Sequence, residues 1–266
     1  MPEMSISRCA VQENSPGRTD TTLSTEAGPV SSPRGAQAVS KSLTCCTITS
    51  RVTSLLGEIA ANPVNSKGET STAIAYDSNC LEEICGSCAM VINGKARMAC
   101  TALIDKLEQP IRLQPLTKFP VVRDLAVDRS VLFENLKAVK AWVPVDGTYD
   151  LGSGPRIFPQ QQETAYPLSN CISCTICMEV CPQFNDATGF VGAATIAQVK
   201  LFNSHPSGKV LKEERLRALA GDGGVQECGF AQNCVNACPK QLPLTEAISD
   251  VTRDVIVQAA KDLLRS

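Results

Sequence analysis

The chain has 266 residues, 43% of them apolar and 20% charged, with a net charge of −2, enough apolar side chain to fold one or two domains around cores. No Lys/Arg run forms the basic footprint of a nucleic-acid binder, and no apolar stretch reaches the roughly 20 residues of a membrane span. The N-terminus carries neither an apolar h-region nor a twin-arginine pair, so no export signal is read and a cytoplasmic setting is expected.

The first segment, residues 1–46, differs in character from the rest. Sixteen of the first fifty residues are Ser or Thr, and the first aromatic residue is Tyr76. Apolar periodicity is poor, so the segment is predicted to be divergent and largely disordered. Its Cys9, Cys45 and Cys46 have no ligand spacing and read as incidental thiols.

A first domain is placed at residues 47–129. Val52, Leu55, Leu56 and Ile59 recur at helical spacing, and Asn62-Pro63 ends that helix. Residues 72–76 (TAIAY) read as a strand leading into a cysteine loop. Residues 89–92 read as a second strand, Asn93-Gly94 as a type I′ hairpin turn, and residues 95–99 as the returning strand. Residues 111–113 give a further short strand, and 117–129 read as a connector. This is a small mixed domain with a cysteine-bearing loop, of the β-grasp ferredoxin kind.

A second domain, residues 130–266, is mostly helical. Residues 130–142 carry Leu132, Phe133, Leu136, Val139 and Trp142. A Pro/Gly/Gln-rich loop is predicted over 144–167. Helices are predicted at about 188–203 and 209–220, the latter stopped by Gly221 at the C′ position. A last helix at about 245–264 repeats Ile248, Val251, Val255 and Ala259 on one face. The fold class is therefore α+β: an N-terminal plant-type ferredoxin-like domain, then an all-α domain of the bacterial-ferredoxin-like kind.

The chemistry lies in the cysteines, of which the chain has 14. Cys80, Cys85, Cys88 and Cys100 read C-x4-C-x2-C-x11-C, the plant-type pattern for a [2Fe–2S] cluster. Soft thiolates suit iron and stay bound through a one-electron change. Gly86 lies where backbone passes close to the inorganic sulfides, and Cys100 arrives from across the Asn93-Gly94 hairpin. Cys171, Cys174, Cys177 and Cys181-Pro182 read C-x2-C-x2-C-x3-C-P, the bacterial cluster run. Cys228, Cys234 and Cys238-Pro239 form a second copy in which the middle cysteine is replaced by Ala231. In two-cluster ferredoxins the fourth cysteine of each run serves the other cluster. That rule groups Cys171, Cys174, Cys177 and Cys238 around a [4Fe–4S] cluster, and Cys181, Cys228 and Cys234 around a third. Three thiolates suit [3Fe–4S], or [4Fe–4S] with water or hydroxide on the open iron. Disulfide scaffolds are short secreted chains, and zinc sites want paired CxxC units or histidines; this chain has one histidine, His205.

The segments DSNCLEEICGSCAMVINGKARMAC (77–100), SNCISCTICMEVCP (169–182) and ECGFAQNCVNACPKQLPL (227–244) resemble, in this order, the iron–sulfur subunit of succinate dehydrogenase and of its relative fumarate reductase. The resemblance spans about residues 51–266. It implies a partner flavoprotein that oxidises succinate at FAD, electron transfer through [2Fe–2S], [4Fe–4S] and [3Fe–4S] clusters, and quinone reduction in a haem-bearing membrane anchor. It favours three irons at the third site. The subunit would sit peripherally on the cytoplasmic face of the inner or plasma membrane. The chain has no G-x-G-x-x-G and no P-loop, consistent with flavin held elsewhere.

The ubiquinone-reducing branch places a tryptophan and a histidine where this chain has Asp186 and Gly229. The resemblance therefore points to the menaquinone-linked branch, with Pro182 and the 229–232 loop as quinone-contact candidates. The family's first domain opens with a strand hairpin that residues 1–46 do not resemble; Thr47–Ser50 would be a remnant, and an exposed sheet edge would result. Fumarate reductase, which runs the same relay in reverse, is the competing reading, followed by a stand-alone multi-cluster carrier. No residue reads as a hydrolytic or nucleophilic catalyst. His205 reads as a cap or surface group, and Glu82 and Glu83 as solvated charges beside the [2Fe–2S] loop.

Overall fold

The computed structural model describes residues 4–8, 20–24, 41–44, 50–64, 68–144 and 155–265. They divide into two compact units, with the break between Asp128 and Arg129.

In the first unit, β4 (Ala89–Ile92), β5 (Lys95–Met98) and β6 (Ile111–Gln114) form an antiparallel ladder in which Ala89 faces Met98 and Ile92 faces Leu113. β4 is buried along its whole length, whereas β6 turns Ile111 and Leu113 inward and Arg112 outward. Asn93 and Gly94 join β4 to β5 with φ of 49° and 75°. A type I′ turn needs positive φ at both central residues, which this pair tolerates best. Helix α1 (Val52–Ala61) buries Val52, Leu55, Leu56 and Ile59. No side chain caps its start; instead the Val52 N–H donates to Ala102 O at 3.0 Å. Each buried aliphatic side chain contributes roughly 1.5–3 kcal/mol, so packing rather than capping holds the helix.

Three short strands stand where the sequence predicts a largely disordered segment: β1 (Met4–Arg8), β2 (Asp20–Ser24) and β3 (Lys41–Thr44). They extend the sheet to the order β3-β2-β1-β6-β4-β5, with Met4 opposite Leu113 and Ile6 opposite Ile111. The expected exposed edge at β6 is therefore paired. A strand edge offers a row of free N–H and C=O groups to any extended neighbour, and Thr is a good strand former; composition alone hid this pairing. Cys9, Cys45, Cys46 and residues 47–49 lie outside the described residues, as does the rest of that segment.

The strand expected at 72–76 does not form. That stretch is held by a hairpin inside the expected connector, made of β7 (Val121–Arg123) and β8 (Ala126–Val127). Ala75 N–H donates to Asp124 Oδ2 at 2.8 Å, Leu125 N–H donates to Ala75 O at 3.0 Å, and Arg123 Nη2 donates to Ala73 O at 2.9 Å.

The second unit is helical among the described residues: α2 (Ser130–Ala138), α3 (Pro159–Ser169), α4 (Ile176–Glu179), α5 (Ala193–Ser204), α6 (Lys212–Ala220), α7 (Asn233–Ala237) and α8 (Leu244–Arg265). α5 is central and packs against α2, α3, α4, α6 and α8. Its Ala193, Ala194 and Ala197 are buried, so neighbouring helices approach closely. Gly192, at its start, has φ 89° and ψ 153°, and a Cβ there would come within 2.9 Å of Met178 Cγ. That backbone region is nearly restricted to glycine and costs other residues roughly 1–3 kcal/mol. Gly192→Ala is therefore expected to lower unfolding stability by at least that much, read as a shift in denaturation midpoint.

Four expectations for this unit need correction. Part of the predicted loop at 144–167 is helix α3: Pro159 sits at its start, where no N–H is needed, and Gln, Glu and Ala favour the helix that follows. Residues 145–154 lie outside the described residues. Gly221 follows α6 in an extended conformation (φ −84°, ψ −175°) rather than left-handed. On α8, Ile248, Val251 and Val255 are buried, but Gln258 rather than Ala259 continues the face, because a 3.6-residue turn drifts off a fixed spacing. In the 130–142 stretch Leu132 and Val139 are buried, whereas Phe133 and Trp142 are exposed.

Candidate metal centres

The first centre is a loop that points backbone N–H groups at sulfur. Cys80 Sγ accepts from the N–H groups of Glu82, Ile84 and Cys85 at 3.4, 3.3 and 3.2 Å. Ser87 N–H reaches Cys85 Sγ at 3.5 Å, and Cys100 N–H reaches Cys88 Sγ at 3.4 Å. Left-handed residues produce this array: Leu81, Glu83 and Gly86 have φ of 61°, 57° and 74°. Alternating handedness turns successive N–H groups to one side, forming a concave anion-binding nest. Arg51 Nη1 holds the Leu81 carbonyl at 2.8 Å. Burial opposes ionisation of Cys85, but hydrogen bonds from Cys80 and Ser87 outweigh it and bring the thiol down to about 6. Burial, reinforced by the neighbouring Cys88, pushes Cys100 up to about 12. The loop thus pre-pays part of the electrostatic cost of gathering negative sulfur.

In the second unit the two cysteine runs fold as copies of one another. Ser173 and Thr175 are left-handed (φ 52° and 64°) at the second and fourth positions after Cys171. Phe230 and Gln232 are left-handed (φ 51° and 60°) at the same positions after Cys228. α4 follows the first loop and α7 the second. Ala231 therefore occupies the place of Cys174 on an unaltered backbone.

These loops interlock around two cavities. One is lined by Cys171, Cys174, Cys177 and Cys238, closed by Leu242 and Leu244. The other is lined by Cys181, Cys228 and Cys234, with Pro182, Phe230 and Ala231 at its wall. Cys174 is buried, whereas Ala231 is exposed, so the third centre is open at the corner without a thiol. Burial pushes Cys174 up to about 11 and also raises Cys177, Cys171 and Cys234. The Gln198 side chain counters this rise at Cys171. Buried thiols of this kind release protons when they bind metal.

The donor set fits polynuclear clusters. Every candidate ligand is sulfur, as iron–sulfur clusters require. Among the described residues, no three His, Cys, Asp or Glu side chains converge tightly enough to hold a single ion; the cysteines instead ring open space. A tetrahedral zinc site with Zn–S of about 2.3 Å would draw its sulfurs much closer together. Sequence reasoning missed the left-handed residues, Arg51, Gln198 and the bond from Thr101 to Glu83 (2.9 Å). His205 caps α5, and its Nδ1 accepts from the Gly208 N–H at 3.4 Å.

Residues 40–134 match the family model described as a 2Fe-2S iron-sulfur cluster binding domain, and residues 167–242 match the 4Fe-4S dicluster domain. The chain is 56% identical to the succinate dehydrogenase iron-sulfur subunit of Bacillus subtilis over 81% of this chain and 85% of the relative. It is 32% identical to the fumarate reductase iron-sulfur subunit of Haemophilus influenzae, over 75% of this chain and 80% of the relative. Its fold is similar to a chain of the Mycobacterium smegmatis Sdh1 complex in the apo form, with a TM-score of 0.63 at 18% identity, covering 96% and 95% of the two chains.

Proposed function

The chain belongs to the family of succinate dehydrogenase iron–sulfur subunits, with a 2Fe–2S domain followed by a 4Fe–4S dicluster domain, and we propose that its eleven spaced cysteines hold three clusters in series. Cys80, Cys85, Cys88 and Cys100 ligate [2Fe–2S]. Cys171, Cys174, Cys177 and Cys238 ligate [4Fe–4S]. Cys181, Cys228 and Cys234 ligate [3Fe–4S]. The observation that carries this assignment is the pair of matching loops, one with Cys174 and the other with Ala231 at the same backbone position.

Bound clusters supply one-electron chemistry at potentials set by hydrogen bonds, charge and burial. The chain's own part is to hold, insulate and hydrogen-bond them. The nest at Cys80 lowers the cost of charge in the first centre, and the apolar wall of Leu242, Leu244 and Ala194 keeps water from the second.

The finer partners follow from the same reading. Leu81 and Ile84 stand exposed on the rim of the first loop and suit contact with a FAD-bearing flavoprotein. Pro182 and Phe230 line the open side of the third centre and suit a quinone and a membrane anchor, probed by haem content of the complex. Among the described residues no helix is long and apolar enough to cross a membrane, so attachment at the cytoplasmic face would be peripheral. Asp186 and Gly229 stand where the ubiquinone-reducing branch carries a tryptophan and a histidine, which supports menaquinone over ubiquinone. Succinate oxidation is the favoured direction, since the relative at 56% identity is a succinate dehydrogenase subunit.

Low-temperature EPR tests the assignment. The air-oxidised chain should show a three-iron signal, and dithionite should add a [2Fe–2S] signal. Ala231→Cys supplies the missing thiol on a backbone already shaped for it. It should erase the three-iron signal, create a second four-iron centre and raise iron by about one atom per chain. A native sample with no three-iron signal when oxidised would overturn the third assignment.

A further inference from the structure

The two matching cysteine loops differ by more than Ala231. Asn233 is the fifth residue after Cys228, and its counterpart after Cys171 is Ile176. Ile176 is fully buried, and its side chain has no group to donate. Asn233 is exposed, and its Nδ2 donates to Val180 O at 3.1 Å. Asn233 directly precedes Cys234, and Val180 directly precedes Cys181. One hydrogen bond therefore ties the loop that carries Cys228 and Cys234 to the segment that carries Cys181.

The bond suits both of its ends. Val180 is the C-cap of α4, so its carbonyl has no partner within that helix. Asn233 opens α7, directly after the left-handed turn at Gln232. A second contact backs the first. Gly229 directly follows Cys228, and a Cβ there would come within 2.8 Å of Gln183 Nε2. The side chain of Gln183, two residues after Cys181, thus lies against bare backbone beside Cys228. The Cys181 segment is held to the loop on both sides of its thiol. The two centres need different devices because their loops bring different numbers of thiols. The loop at the second cavity brings Cys171, Cys174 and Cys177 to a wall closed by Leu242 and Leu244. The loop at the third brings only Cys228 and Cys234, and its corner at Ala231 is exposed. A cluster there has one anchor fewer on that loop, so a bond between the flanking segments keeps the remaining thiols in register.

We propose that Asn233 compensates for the thiol missing at Ala231, holding Cys181 against the Cys228–Cys234 loop so that the third centre retains its cluster. Asn233 is a positioning residue rather than a ligand. The inference rests on reading that centre as a three-thiolate [3Fe–4S] site. It also gives the second loop a logic of its own: where a cysteine is replaced by alanine, an amide two residues later takes over part of its task.

The test is iron release from the cluster-loaded full chain within its complex, challenged with an iron chelator and followed by EPR of oxidised and reduced samples. Asn233→Asp keeps the side-chain shape and loses the N–H donor. Asn233→Ile installs the residue of the first loop. Each should lose the three-iron signal about 10-fold faster than the native complex, while the [2Fe–2S] and [4Fe–4S] signals decay at native rates. Asn233→Gln keeps an amide donor and should regain part of the difference. Should Asn233→Ile fail to load its cluster, the isosteric Asn233→Asp still isolates the donor. In an Ala231→Cys background, where a fourth thiolate holds the loop, Asn233→Asp should speed iron release far less, the non-additivity that marks a shared task. Native rates of loss in Asn233→Asp overturn the proposal, as does equal acceleration at all three centres. An undiminished effect in the Ala231→Cys background overturns it too. A native sample with no three-iron signal overturns instead the underlying reading of the third centre, and the proposal with it.

Discussion

Cys177→Ala is expected to remove one whole cluster, lowering iron from about nine to about five atoms per chain. Cys177 is buried on α4 and lines the second cavity with Cys171, Cys174 and Cys238. Burial raises its thiol well above the usual range, and Cys234 adds to the rise. Removing Cys177 leaves three thiolates and a buried alanine with no path for water or hydroxide to complete the site, in contrast to the exposed corner at Ala231. A damaged second centre should therefore be lost rather than converted to three irons. Electron transfer through the chain should fall by more than the roughly 10–100-fold that follows loss of an outer-shell partner. The [2Fe–2S] signal should survive, because the first unit has its own core. Iron analysis with EPR of reduced samples reads all three outcomes. Retention of a four-iron signal would place Cys177 outside the ligand set.

The cysteine groupings around the two cavities were legible because cluster chemistry leaves its spacing in the sequence. Three cysteines in a tight loop and a fourth across an Asn-Gly turn name the first centre without any structure. Two C-P-terminated runs name the other two. The backbone that makes these loops work was not legible. Leu81, Glu83, Ser173, Thr175, Phe230 and Gln232 are all left-handed, yet none is the Gly, Asn or Asp that ordinarily marks such positions. Their conformation is imposed by where the N–H groups must point, which propensity does not record. β1, β2 and β3 were missed because a Ser/Thr-rich composition masked a short alternation: Met4 and Ile6 of β1 stand opposite Leu113 and Ile111 of β6, and β2 and β3 pair on in turn. α1 was readable because its stripe is its energy: four aliphatic residues at helical spacing are the residues buried.

Arg215 is the clearest case of a role that sequence conceals, and its replacement is expected to be the costliest single change away from sulfur. Within KEERLRALA it reads as one more surface charge on α6, yet it is fully buried, with 0% exposure. Its Nε donates to Lys140 O at 2.8 Å, Nη2 to Trp142 O at 2.5 Å, and Nη1 to Asn203 Oδ1 at 3.0 Å and Gly208 O at 2.7 Å. One guanidinium therefore satisfies the chain leaving α2, the end of α5 and the turn before α6. Its face lies 5.8 Å from the Phe202 ring centre, a cation–π distance. Burial lowers its pKa, and neighbouring Glu214 opposes the shift; four neutral acceptors take the place of a direct carboxylate partner. Arg215→Met fills much of the volume but strands four acceptors, each worth roughly 1–3 kcal/mol when left unpaired in the interior. Partial relaxation brings the expected loss to about 3–5 kcal/mol, or about 10–20 °C in the melting temperature of a unit this size. Arg215→Lys keeps the charge but not the planar fork, so it should recover less than half of that loss. Glu214→Ala, at the exposed pair with Lys140, should cost no more than about 1 kcal/mol. Differential scanning calorimetry of the three variants separates these outcomes. Equal melting temperatures for Arg215→Lys and the native chain would mean that charge alone, and not the forked geometry, joins α2 to the core that surrounds the two buried centres.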